Sequence, residues 1–157
     1  MLINYFGQNF IMAFVSPLEI EIVLKLIVAA GLGLMLGYER EVHKRPAGLR
    51  THSLVCMGAA LFTMISFSFT GDYVDASRIA AGVVTGIGFI GGGVIFKSEE
   101  RVIGLTTAAE LWVVGAIGLA VGIGYYLAAF VTTAIVLVIL VPLKHVAEEA
   151  RKRSLLK

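Results

Sequence analysis

Few side chains in this chain could do chemistry, and most of them are charged residues placed beside apolar segments. Residues 37–52, GYEREVHKRPAGLRTH, carry Glu39 and Glu41 among four basic residues. Glu110 is the only charged residue within residues 102–141. A carboxylate inside a membrane segment is costly and usually marks a path for cations or a relay for protons. The residue types therefore point to chemistry on ions or protons.

The depth of Glu110 depends on where its helix begins. A helix starting at Val102 would place the carboxylate in the middle of the bilayer, as a cation contact or a proton relay. A helix starting near Thr107 would make Thr107 and Glu110 the two ends of a capping box, with the carboxylate near the cytoplasmic end. The sequence leaves both alternatives open.

Polar residues at the ends of several predicted helices fall at one depth on the cytoplasmic side. We predict that they converge in a polar cluster of Glu39, Arg40, Arg50, Thr51, Thr106, Thr107 and Glu110. The alternative is an ordinary basic rim with helix caps, because Lys and Arg collect on the cytoplasmic side of membrane proteins.

A second group of ionisable residues, Asp72, Asp75 and Arg78, lies in the predicted external loop. Two carboxylates suit Mg²⁺, which prefers oxygen ligands, although a solvated loop is the simpler explanation. His43, His52 and His145 lack the spacing of a metal site. The single cysteine, Cys56, lies among apolar residues, which is typical of a buried small hydrophobe.

No enzyme motif stands out in the sequence. The match to G-x-G-x-x-G at residues 86–91 falls inside an apolar run of membrane-spanning length, where the strand and helix of a dinucleotide-binding fold have no room. No phosphate-binding loop, serine elbow, zinc helix or CxxC pair is present. We expect no enzyme activity and no cofactor, with Mg²⁺ as the one ion to consider.

These residues must be positioned by membrane helices. Of the 157 residues, 58% are hydrophobic and 15% charged, whereas soluble domains hold about 25% charged residues. Apolar runs predict spans at residues 20–38, 53–70, 79–96, 107–121 and 126–143. Ser16 and Glu19 fit a capping box before the first span, and Glu21 can pair with Lys25 four residues on.

We therefore predict an all-α membrane protein with five transmembrane helices. Residues 1–16 form an interfacial N-terminal tail, residues 17–143 the transmembrane domain, and residues 144–157 a basic cytoplasmic tail. In this arrangement Arg78 lies outside, Lys25 lies within a helix, and every other basic residue is cytoplasmic. The positive-inside rule then places the N-terminus outside and the C-terminus inside.

The third predicted span is unusually rich in glycine. Small residues four apart let neighbouring helices approach closely, so we predict that this span is the central helix of the bundle. Its packing residues would be Gly82, Gly86, Gly88, Gly91, Gly92 and Gly93.

Three stretches of the sequence together resemble a known family. GYERE…RPAGLRTHSLVCMGAALF, RIAAGVVTGIGFIGGGVIF and GLTTAAELWVVGAIGLAVGIGYY resemble the MgtC/SapB family of bacterial inner-membrane proteins, from about residue 31 to residue 140. Members of this family often continue into a soluble domain, so we expect this copy to be the membrane domain with a short tail. The family's polar signature falls on Glu39, Arg40, Ala47, Gly48, Arg50, Thr51, Asp75, Arg78, Gly86, Gly91, Gly104, Thr106, Thr107 and Trp112, while Glu110 stands where the family has a small residue.

The resemblance implies a multi-pass inner-membrane protein linked to magnesium homeostasis and, in pathogens, to survival inside host cells and so to virulence. It implies a regulatory role through other membrane proteins. The alternative is a Mg²⁺ transporter or channel that uses Glu110 and the external carboxylates. The expected partners are the lipid bilayer, other membrane proteins and further copies of the chain in a homo-oligomer, and not nucleic acid.

Overall fold

The computed structural model describes residues 16–69, 75–98 and 101–141 as a helical bundle with one short hairpin. Its elements are α1 (Pro17–Val42), α2 (Leu49–Ser68), α3 (Ser77–Gly93), β1 (Phe96–Ser98), β2 (Arg101–Ile103), α4 (Leu105–Ile123) and α5 (Tyr126–Leu140). By length and composition α1, α2 and α4 can cross a membrane, and α5 is a shorter apolar helix. The prediction of a helical fold is confirmed. Apart from Ser16, the predicted tails at residues 1–16 and 144–157 lie outside the described residues.

The start of α1 agrees with the sequence prediction. The Ser16 hydroxyl accepts a hydrogen bond from the Glu19 backbone N–H (3.2 Å), and the Glu19 carboxylate accepts one from the Ser16 N–H. Further along α1, Nζ of Lys25 lies 2.8 Å from Oε1 of Glu21. Both features are local, because each joins residues on adjacent turns of one helix.

The far end of α1 extends further than the composition suggests. The helix runs to Val42 and α2 begins at Leu49, so the basic stretch predicted as a loop at residues 37–52 contains a loop of only residues 43–48. Glu39 and Arg40 are buried in the last turns of α1. The helix continues through them because their charges find partners inside the protein.

The centre of the bundle is α4, and the prediction that the glycine-rich helix lies there is wrong. Buried residues recur along the whole of α4, whereas α3 buries only Ile87 and Gly91. Helix α2 packs against both α1 and α4. Apolar side chains of α1, α2, α4 and α5 form the core between them, including Leu36, Ala60, Val114 and Ala129.

The close helix approaches use other glycines than those predicted. A Cβ atom on Gly33 of α1 would lie 2.6 Å from the His52 carbonyl oxygen, and one on Gly122 of α4 would lie 2.7 Å from that of Ala60. Gly37 and Gly118, each four residues from one of these, meet the α2 backbone in the same way. Two glycine pairs therefore hold α2 between α1 and α4.

Most of the predicted packing glycines on α3 face open space among the described residues. A Cβ atom at Gly82, Gly86, Gly88, Gly92 or Gly93 would meet no described atom within 4 Å. Gly91 is the exception, because a Cβ atom there would lie 3.5 Å from the Ala108 carbonyl oxygen on α4. The other five glycines thus have no packing partner among the described residues, and their packing role stays a prediction.

A short hairpin joins α3 to α4, in the stretch between the third and fourth predicted spans. β1 pairs antiparallel with β2, with Phe96 opposite Ile103 and Ser98 opposite Arg101. Gly104 follows at a φ of +95°, a backbone conformation that favours glycine. Helix α4 then begins at Leu105, between the two starts that the sequence left open.

Candidate functional site

Arg40 lies at the centre of a buried charge network that links α1, α2 and α4. The residue is 4% exposed. Its guanidinium contacts the Glu39 carboxylate through Nε and Nη2, and Nε lies 3.3 Å from Oε2 of Glu110. A guanidinium has five N–H donors in a fixed plane, so a single arginine can serve carboxylates from two helices.

Glu110 enters this network from α4 and is also 4% exposed. It lies five residues after the start of the helix, about 8 Å along it at 1.5 Å per residue. The N-cap of α4 is Gly104, and no side chain caps this terminus. The capping-box prediction for Thr107 and Glu110 is therefore wrong, and the carboxylate is instead held by ion pairing.

His52, in the first turn of α2, is the residue that joins the network from the third helix, and it is fully buried. Its Nδ1 lies 2.9 Å from the Gly48 carbonyl oxygen. Because a carbonyl can only accept, Nδ1 carries a hydrogen and donates it. The other ring nitrogen, Nε2, lies 3.4 Å from Oε1 of Glu110. Neither Nε2 of His52 nor the carboxylate oxygens of Glu110 have a hydrogen-bond partner among the described residues, so these groups meet only through the longer ion-pair contacts.

The network places nitrogen groups beside both buried carboxylates. Arg40 lies beside Glu39 and Glu110, and His52 lies beside Glu110. A buried charge left alone costs several kcal/mol, about 3–5 when a partner is removed. At the outer edge, Nδ1 of the half-buried His43 lies 2.9 Å from Oε1 of Glu39. Each buried carboxylate therefore has the Arg40 guanidinium and a histidine ring beside it.

The predicted polar cluster is assembled only in part. Glu39, Arg40 and Glu110 come together, and Thr107 is buried beside a cavity that Arg40 also lines. Arg50 and Thr106 are exposed and Thr51 is half-buried, and within the described residues none of their side chains joins the network.

Sequence reasoning missed His52. Its signal is the helical spacing of the buried residues on α2: His52, Cys56, Ala59 and Thr63 follow one another at intervals of three or four and are all buried. A histidine on that face points into the bundle. Cys56 is buried as expected.

The external group contains a local turn before α3. Asp75 accepts hydrogen bonds from the Ser77 backbone N–H (2.9 Å) and hydroxyl (2.6 Å). The N-cap residue of α3 is Ala76, so Asp75 lies one residue before it. Asp72 lies outside the described residues. Within the described part of the chain, no three His, Cys, Asp or Glu side chains are grouped so that they could hold a metal ion.

These hydrogen bonds predict a pH dependence. The hydrogen bond from the Ser77 hydroxyl and then that from its N–H lower the pKa of the exposed Asp75 carboxyl; desolvation opposes them less strongly, and the charge of Arg78 adds the smallest lowering effect. A lowered folded-state pKa stabilises the protein above the ordinary pKa, and this is lost as the pH falls through the folded value. We expect Asp75→Asn to melt below the wild type at pH 7, and the difference to disappear as the pH falls through the lowered folded-state pKa. A melting difference independent of pH would contradict this role.

Known proteins share the part of the chain that holds this network. A model of the MgtC family matches residues 26–149. The chain belongs to the MgtC family. Every residue of the network, from Glu39 to Glu110, lies inside the matched range. Family membership and the long apolar helices together indicate a membrane protein.

Several relatives within the MgtC family are similar over most of this chain. The Escherichia coli K12 protein named "Putative magnesium transporter YhiD" is 48% identical over 113 residues, which cover 68% of this chain and 53% of the relative. "Protein MgtC" of Salmonella paratyphi A is 41% identical over 144 residues, 86% of this chain and 62% of the relative. "Protein MgtC" of Brucella abortus is 44% identical over 127 residues, which cover 78% of this chain and 53% of the relative. The chain thus spans between 53% and 62% of the length of these relatives. No solved structure matches the chain.

Proposed function

We propose that this chain is a five-span protein of the bacterial inner membrane that serves Mg²⁺ homeostasis, or adaptation to low Mg²⁺, through contacts with other membrane proteins. The link to Mg²⁺ is supported by membership of the MgtC family and by a relative whose printed name is that of a magnesium transporter. In this proposal the chain regulates the movement of the ion and does not itself carry it.

The position of Arg40 is the observation that carries this proposal. Among the described residues the buried carboxylates are Glu39 and Glu110, and Arg40 lies in contact with both. A divalent cation needs several oxygen ligands. To use these two, it would have to displace a guanidinium and meet its positive charge. The geometry therefore favours a fixed structural network over an ion path.

The open side of α3 supports a protein partner within the membrane. An apolar groove of about 680 Å³ runs between α2 and α3, lined in part by Gly58, Phe62, Gly82, Gly86 and Phe89. Glycines without a neighbour among the described residues leave room for the backbone of another helix. A regulatory membrane protein needs such a surface.

The proposed topology places the network at the cytoplasmic end of the bundle, with the N-terminus outside and the C-terminus inside. The positive-inside rule supports it, since Arg40, Arg45, Arg50, Lys97 and Arg101 lie at this end. Cysteine substitution tests it, because the native Cys56 is buried. In whole cells an impermeant thiol reagent should label Ser77→Cys and leave Ser98→Cys unlabelled until the membrane is opened. The reverse pattern would overturn the topology.

Ion flux through the purified protein tests the functional proposal. Liposomes that contain the chain and a Mg²⁺-sensitive dye are compared with empty liposomes and with liposomes holding Glu110→Gln. We expect inserted wild-type protein to take up Mg²⁺ no faster than empty liposomes. Uptake well above that level, lost in Glu110→Gln, would establish the transporter alternative instead.

A growth assay tests the regulatory half of the proposal. In a bacterium that lacks its own family member, the chain should restore growth at low Mg²⁺. Gly86→Leu should fold, since Gly86 faces open space, but should lose this rescue because a leucine keeps a partner helix away. Gly31→Leu is the matched control, because Gly31 also has no neighbour within 4 Å but lies on α1. Equal rescue by both variants would contradict a partner on α3.

A further inference from the structure

A cavity of about 580 Å³ opens beside the charge network, at the same end of the bundle. Three arginines from three elements line it: Arg40 of α1, Arg45 of the loop after α1, and Arg101 of β2. Thr106 and Thr107 of α4 line it as well, and Ile139 and Leu140 of α5 form an apolar wall. The lining therefore combines concentrated positive charge with an apolar side.

The positive charge of this cavity is not neutralised by the network. Arg45 and Arg101 are exposed, and neither has an ion-pair partner among the described residues. Arg40 uses Nε and Nη2 for Glu39 and Glu110, and no ion pair or hydrogen bond in the described ranges uses its Nη1. The described residues that line the cavity include three arginines and no carboxylate, so the charge that they bring to it is positive.

The first turn of α4 adds donors of a second kind. The first backbone hydrogen bond of this 19-residue helix runs from the Ala108 N–H to the Gly104 carbonyl (2.8 Å), so the N–H groups of residues 105–107 have no partner within the helix. Thr107 is 3% exposed and lines the cavity, and its hydroxyl makes no hydrogen bond to any described residue. This hydroxyl is therefore free to donate a hydrogen bond to a group bound in the cavity.

We propose that this cavity binds a phosphate group, carried either by an anionic phospholipid headgroup or by inorganic phosphate. Guanidinium groups bind phosphate oxygens in a bidentate manner, and the positive end of a helix dipole favours an anion. A divalent cation is excluded by the three arginines. The apolar wall suits the glycerol and first methylenes of a lipid at the membrane surface. The site is independent of the proposed role in Mg²⁺ homeostasis.

Two exposed arginines and one exposed lysine allow a matched test. Arg45→Gln and Arg101→Gln each remove one charge from the cavity. Lys97→Gln removes one charge from the same hairpin, where Lys97 is exposed and does not line the cavity. All three are surface changes, so circular dichroism should show wild-type helix content.

The melting temperature is measured in detergent with two probes. One is inorganic phosphate against chloride at equal ionic strength, and the other is phosphatidylglycerol against phosphatidylcholine in mixed micelles. Binding to the folded state raises the melting temperature. We expect the wild type and Lys97→Gln to show the rise, and each arginine variant to need about tenfold more probe for the same rise.

The two probes separate the sources of the phosphate group. A rise with phosphatidylglycerol alone assigns the cavity to a lipid headgroup, and a rise with inorganic phosphate assigns it to the soluble ion. Phosphate also stabilises proteins by exclusion from their surface, but that effect would be equal in all four proteins. Equal responses of all four proteins to both probes, or no response of the wild type to either, would overturn the proposal.

Discussion

Arg40→Gln is expected to lower the free energy of unfolding by about 3 kcal/mol or more. The substitution leaves the Glu39 and Glu110 carboxylates in a buried site without their shared cation. Removing one partner of a buried ion pair costs about 3–5 kcal/mol, because the remaining charge is neither solvated nor paired. The loss should exceed that of any exposed arginine in the chain.

Arg50→Gln is the matched control for this prediction. It is the same substitution at the start of α2, but Arg50 is exposed and has no ion-pair partner among the described residues. Unfolding by sodium dodecyl sulfate in mixed micelles, followed by circular dichroism, should show a change within about 0.5 kcal/mol for Arg50→Gln. Equal effects of the two substitutions would mean that Arg40 is not held by the buried carboxylates.

Gly118→Ala is expected to destabilise the protein, whereas Gly86→Ala is not. A Cβ atom at Gly118 would overlap the Cys56 carbonyl oxygen and lie 2.8 Å from the Ala59 Cβ, so α2 and α4 must move apart. Overpacking of this kind costs about 1–3 kcal/mol. Gly86 meets nothing within 4 Å, and alanine is a better helix former than glycine. The two substitutions are chemically identical, so only their surroundings differ.

The same unfolding titration in mixed micelles measures both glycine variants. Gly33→Ala extends the test to the other side of α2, where a Cβ atom would lie 2.6 Å from the His52 carbonyl oxygen. We expect Gly33→Ala and Gly118→Ala to be less stable than the wild type, and Gly86→Ala to match or exceed it. Loss of stability in Gly86→Ala alone would contradict this account and would mean that α3 is the central helix of the bundle.

The features that the sequence predicts well are local ones. The Ser16–Glu19 capping box and the Glu21–Lys25 pair each depend on residues less than five apart, and both are present. The meeting of Glu39, Arg40 and Glu110 was also predictable, because each lies near a helix end at one side of the membrane.

The features that the sequence does not predict depend on which helices become neighbours. Glycine pairs four residues apart occur on α1, α3 and α4, and their spacing alone does not say which of them meets another backbone. Helix α2 lies between α1 and α4, so the glycine pairs of these two helices are the ones that meet its backbone. The buried face of α2 turns His52 inward. The hairpin at Phe96–Ser98 and Arg101–Ile103 is too short to give a strand pattern.

The most direct test of this account is a double-mutant cycle on Arg40 and Glu110. The unfolding free energies of Arg40→Gln, Glu110→Gln and the double variant are measured in the same micelles as the wild type. The distance of 3.3 Å between Nε and Oε2 predicts a coupling energy of about 1.5–3 kcal/mol, so the double variant should lose less than the sum of the single losses. Additivity within about 0.5 kcal/mol would contradict the ion pair between α1 and α4, and with it the argument that Arg40 occupies the place of a cation.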